Sequence, residues 1–143
     1  MPSINYFFED LQEDLALINP KFTEWICDVI RQNSGTLEQI NYIYCSDNYI
    51  LGVNQTYLNH DYYTDIITFD NREEIEDPIE ADIFISIERV KDYAQKESIP
   101  FIDELNRVMV HGVLHLLGQS DKSKEEKIQM RKREEASLSL RKF

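Results

Sequence analysis

No apolar run in the chain approaches the roughly 18 residues a helix needs to cross a bilayer, so no membrane-spanning role is expected. The opening MPSINYFFEDLQED has neither the basic start nor the apolar core of a signal peptide, and the expected location is the cytoplasm. Cysteine is scarce as well. Cys27 and Cys45 lie inside the apolar stretches WICDVI and INYIYC, without CxxC spacing, so buried thiols are expected rather than a disulfide or a metal pair. With four glycines, four prolines and no Gly, Ser or Pro tract, nothing marks a linker. Positive charge is in short supply overall: a formal net charge of −12 excludes a general nucleic-acid binder, whose phosphate contacts need clustered Lys and Arg.

That deficit is uneven. Residues 121–143 hold eight Lys or Arg against five acids, a net of +3, so residues 1–120 carry −15. The basic end fits either a solvated helix face or a local polyanion contact. The 143 residues are the common size of one domain, and a single domain over 1–143 is expected.

SINYFFED reads as a strand, and PKFTEWICDVIRQNSG as a helix, because Phe22, Trp25, Ile26, Val29 and Ile30 recur at spacings of three and four, with Gly35 as its stop. TLEQINYIYC alternates as a half-buried strand. DNYILGVNQTYLN reads as a short helix resting on Ile50, Leu51, Val53 and Tyr57. DIITF (65–69) and DIFIS (82–86) are β-rich runs on either side of an acidic loop and belong in one sheet. From Ile87 the pattern turns helical in three segments, broken at Ile99-Pro100 and after Gly118. The expected fold class is α+β: a mixed four-stranded sheet packed against about five helices.

The chemistry concentrates in HGVLHLLGQSD. His111 and His115, four apart on a helix, share one face. Gly118 lets the chain leave through a left-handed cap, so that Asp121 can supply a third donor. Three protein ligands plus water is the arrangement of a catalytic zinc, and His111, His115 and Asp121 are the expected metal ligands. Gly112 stands where HExxH metalloproteases carry their general base, so peptide hydrolysis by that route is not expected. Arg107 and Glu104 continue the stripe backward, suited either to orienting a ligand or binding an anion, or to a plain helix salt bridge.

With those residues in place, HGVLHLLG followed by a metal donor resembles the HGxLHLxGxxH signature of the YbeY family. VNQTYLNHDYYTDIITF resembles the family's LNxxYRxxDxPTDVLSF block at Asn54, Asp61, Thr64, Asp65 and Phe69, and EADIFIS resembles its GDIxIS strand. The likeness runs over roughly residues 40–140. It implies an α+β sandwich, one zinc per chain with nickel as the other option, and single-strand-specific endoribonuclease activity in rRNA maturation at the small-subunit 3′ end. Implied partners are single-stranded rRNA and the small ribosomal subunit or its proteins.

Four positions depart from the pattern: Asp121 replaces the third His, Leu58 an Arg, Ser120 an Asp and Gln119 a Tyr. Loss of that Arg removes a phosphate contact, for which His60 or Arg107 are the candidate substitutes. Arg107, Asp65 and His60 are thus the candidate catalytic residues, with Asn54 and Thr64 shaping the pocket and Lys122 to Arg133 holding the RNA backbone. Two other functions fit the same residues: a non-catalytic zinc-containing ribosome-assembly factor, and a metallohydrolase of a small phosphate ester or amide.

Overall fold

The computed structural model describes residues 2–12, 14, 17–60 and 62–143. Four strands, β1 (Ser3–Glu9), β2 (Leu37–Cys45), β3 (Ile66–Asp70) and β4 (Ile79–Ser86), alternate with five helices: α1 (Phe22–Gln32), α2 (Asp47–Leu58), α3 (Ile87–Glu97), α4 (Phe101–Leu116) and α5 (Lys124–Leu138). The sheet order is β1-β2-β4-β3. β1 and β4 both run parallel to β2, while β3 joins β4 antiparallel with Ile66 opposite Ile85. The mixed four-stranded sheet with five helices is the α+β fold expected from the sequence.

Side-chain alternation splits the sheet into two faces. Ile4, Ile40, Tyr42, Tyr44, Ala81, Ile83 and Ile85 point into the main core with residues of α1, α3, α4 and α5. On the other face Cys45, Ile67 and Phe84 meet Ile50 and Val53 of α2. That face also carries a polar row. Asn5 donates to Asn41, Asn41 to Asp82, and Asn71 closes on the same Asp82 carboxylate.

α4 is buried almost all round, through Leu105, Val108, Met109, Val110, Val113, Leu114 and Leu116, as befits the central helix of a layer. The buried Tyr42 hydroxyl donates to the Met109 carbonyl at 3.0 Å, fixing its height over the sheet. Gly112 sets the separation: a Cβ there would stand 3.1 Å from Ile66 Cδ1 and 3.2 Å from both Ile83 Cδ1 and Thr68 Oγ1.

Three expectations change. Tyr57 is not a core residue of α2; in the helix's last turn it is 71% exposed and meets Phe69 edge to face. Gly35 is not the stop of α1. That helix ends at Gln32, Ser34 takes the left-handed turn at φ 59°, and Gly35 is needed because a Cβ would meet Leu117 Cδ2 at 2.6 Å. Cys45 is buried but Cys27 is only partly so; both thiols are free.

Candidate metal and RNA site

The end of α4 has the geometry that glycine permits. Gly118 adopts φ 100°, its N–H bonds the His115 carbonyl and the Gln119 N–H the Leu114 carbonyl, both at 3.0 Å: the paired bonds of a Schellman turn. The chain doubles back, and Asp121 Oδ2 comes to 3.4 Å from His111 Nε2. The rings of His111 and His115 lie parallel within 6°, their centres 6.5 Å apart. Ser123 then starts α5 with a capping box, accepting from the Glu126 N–H while Glu126 accepts from its own N–H.

What holds each imidazole fixes its tautomer. His111 Nδ1 stands 2.7 Å from Glu134 Oε2. Burial pushes the Glu134 carboxyl up, but the His111 hydrogen bond and the Arg107 charge outweigh it and leave it lowered. The carboxylate accepts, so Nδ1 carries a proton, and in the neutral ring Nε2 keeps its lone pair. His115 Nδ1 meets the Gln119 carbonyl at 3.1 Å, which also can only accept. In the neutral rings both Nε2 atoms are thereby left free to accept a hydrogen bond or to ligate.

Two lone-pair atoms, His111 Nε2 and Asp121 Oδ2, face each other across 3.4 Å, an arrangement that repels unless a cation or proton lies between. Donors bonded to one tetrahedral zinc would stand about 3.3 Å apart. The pair fits a metal. The third member does not yet close on it: among the described residues no group of three or more His, Cys, Asp or Glu donors converges to metal-holding distance.

Arg107 is neither a free anion contact nor part of a simple helix pair. It grips Glu104 with two bonds of 2.7 and 2.8 Å and reaches Glu134 at 3.2 Å, and the hydrogen bonds to Glu104 hold the guanidinium far above its ordinary pKa despite burial. Glu104 and Glu134 are almost fully buried, so Arg107 acts on His111 through Glu134. Glu134 is the residue that sequence reasoning missed. Its one signal was position, since it follows the buried Met130 by four on the inward face of α5.

His60 packs on Tyr62 and bonds its hydroxyl through Nδ1. Asp65 accepts the Ser86 N–H on its backbone carbonyl, and the Thr64 hydroxyl donates to the Ile66 carbonyl. Asn54, buried, donates to the Tyr62 carbonyl, so it shapes the loop before β3. Asp61 lies outside the described residues. In the basic end, Lys122, Lys124, Lys127, Arg131 and Lys132 are exposed. Arg133 is turned inward to Asn33 and Gln119, and Arg141 to Asp103 and Asn106.

No helix among the described residues is long and apolar enough to cross a membrane. The model of the family described as Endoribonuclease YbeY matches residues 7–141. A protein of Cytophaga hutchinsonii named Endoribonuclease YbeY is 50% identical over 141 residues, covering 99% of this chain and 97% of its own. One of the same name from Flavobacterium psychrophilum is 45% identical, covering 98% and 96%. The fold is also that of the solution structure of TM1509 from Thermotoga maritima, with a TM-score of 0.70 at 22% identity over 96% of this chain and 88% of the other. A match over nearly the full length, in family model and relatives alike, means that this chain belongs to the endoribonuclease YbeY family.

Proposed function

We propose that residues 1–143 form one metal-dependent endoribonuclease domain that cuts single-stranded rRNA during maturation of the small-subunit 3′ end, in the cytoplasm and in contact with the small subunit or its proteins. Family membership supports RNA hydrolysis. The observation that carries the metal is the pair of imidazoles with both Nδ1 atoms spoken for and Asp121 aimed at His111 Nε2.

His111, His115 and Asp121 would hold the ion, zinc suiting two imidazoles and a carboxylate. A divalent ion there supplies Lewis acidity toward water and a phosphodiester oxygen. Glu134 keeps His111 in the ligating tautomer, and Arg107 keeps Glu134 ionised and in place. The exposed Lys122, Lys124 and Lys127, directly after Asp121, contact the phosphate backbone. Asp65, at the entry to β3, would help shape the pocket.

The test pairs bound-metal analysis with cleavage of a single-stranded rRNA fragment by the native protein, His115→Ala and Asp121→Ala. Near-stoichiometric zinc, lost together with cleavage in variants that remain folded, supports the reading. Zinc without metal-dependent cleavage would overturn it in favour of an assembly factor or a small-substrate hydrolase.

A further inference from the structure

The segment between α2 and β3 carries an unusual surface. Three tyrosines fall within seven residues there, and Tyr57, Tyr62 and Tyr63 are 71%, 55% and 48% exposed. They are not loosely held. Asn54, 1% exposed, donates to the Tyr62 carbonyl at 2.9 Å and accepts the His60 N–H on its own carbonyl at 3.1 Å, while Asn59 takes the left-handed turn that ends α2. The Tyr62 ring is already stacked on His60, 5.2 Å between centres and 21° between planes. Tyr63 lies under the Arg89 guanidinium at 5.1 Å, which Asp47 in turn fixes with a 2.7 Å bond.

Ordering these rings has therefore been done before any ligand arrives, and a partner that adds to a preformed stack loses less entropy on binding. The place is also defined. The segment leads into Ile66, whose Cδ1 touches the spot where a Cβ would sit on Gly112, the residue beside His111. The aromatic surface thus lies at the entry to the strand that packs against α4 beside His111.

Resting on the endoribonuclease reading, we propose that Tyr62 and Tyr63, with His60 and Tyr57 at their flanks, form a stacking platform for unpaired bases of the RNA strand entering the site. Charge favours bases over phosphates: residues 57–63 contain no Lys or Arg, and Arg89, which lies over Tyr63, is already paired with Asp47. Tyrosine and histidine offer a flat π face with a polar edge that stays wet, which suits a nucleobase. A duplex has no free base faces to offer, so the platform selects single strands without reading sequence.

The experiment measures binding of a short fluorescent single-stranded RNA by rapid mixing, ahead of cleavage, and steady-state cleavage of the same RNA. Removing both rings in Tyr62→Ala/Tyr63→Ala should weaken binding about 5- to 150-fold per base released, the range for base–aromatic stacking. It should raise KM with kcat little changed. Tyr62→Phe/Tyr63→Phe should restore binding, and a fully abasic oligomer should bind the native protein and the Ala variant equally weakly. A folded Ala variant that binds RNA within about twofold of the native protein would sink the platform while leaving the endoribonuclease reading intact. A native protein that neither binds nor cuts RNA would overturn both.

Discussion

The two histidines sit one turn apart on the same helix, yet they are held in opposite ways. His111 leans on a buried ionic chain, Glu104 to Arg107 to Glu134, built between α4 and α5. His115 is exposed and is held by a single backbone carbonyl, Gln119, in the turn that follows α4. The first support is made of charges that burial makes costly to leave unpaired. The second is made of backbone geometry that one glycine allows. His111 is therefore the fixed reference, and the turn brings Asp121 to within 3.4 Å of it.

The largest effect should come from cutting the ionic chain. Arg107→Ala leaves Glu104, its side chain 1% exposed, without its cation, and Glu134, 3% exposed, with only the looser Arg131 at 3.6 Å and His111. We expect a loss of about 3–5 kcal/mol in urea unfolding, the usual cost of breaking a buried ion pair from one side. A loss under about 1 kcal/mol would mean the chain is not the rigid half of the site.

Glu134→Gln should cost less stability, since an amide still fills the space, but it removes the carboxylate that fixes the His111 tautomer. Zinc affinity should fall about 10- to 100-fold, read by competition with a chromophoric chelator. Gln119→Ala offers the contrast, because the group that holds His115 is backbone and survives the change. Equal losses in both variants would erase the distinction between the two supports.

Gly118→Ala strikes the other support. Its φ of 100° is one that side chains avoid, although nothing lies within 4 Å of the added Cβ. The cost should be about 1 kcal/mol and purely conformational. Relaxation of the turn should show as line broadening at His115 in NMR, with His111 unchanged.

Much of this was legible in the sequence, for identifiable reasons. His111, His115, Gly118 and the core stripe of α4 lie within one helix and its cap, where a period of 3.6 and one special φ say nearly everything. Glu134 was not legible, because it reaches His111 from 23 residues away and the buried positions of its helix, Met130, Glu134 and Ser137, make no apolar stripe. The basic end misled for a related reason. Composition cannot distinguish Lys124, which faces solvent, from Arg133, which bonds Asn33 and Gln119. Tyr57 fell on the helical stripe of α2 but in its last turn, where Phe69 meets one edge and most of the ring stays exposed.

The smallest effect probes how far the His115 end is braced by charge at all. Arg72, after β3, donates at 2.7 Å to the Leu116 carbonyl at the end of α4 and is itself clasped by Asp70. The hydrogen bonds from Arg72 lower the Asp70 carboxyl below its ordinary 3.8. A carboxyl lowered on folding stabilises the protein above its unfolded pKa and ceases to do so as the pH falls through the folded value. The contribution should thus be complete at neutral pH, begin to fall below about pH 3.8 and vanish only once the pH is below the lowered folded value. Because the Asp70 side chain is 41% exposed, solvent screening should hold it to about 1 kcal/mol or less. Urea unfolding of the native protein and Asp70→Asn should differ by that amount at pH 7 and converge at lower pH. A gap undiminished at pH 3 would show that Asp70 braces the helix end by shape and neutral hydrogen bonding, leaving the buried chain behind His111 as the charged support.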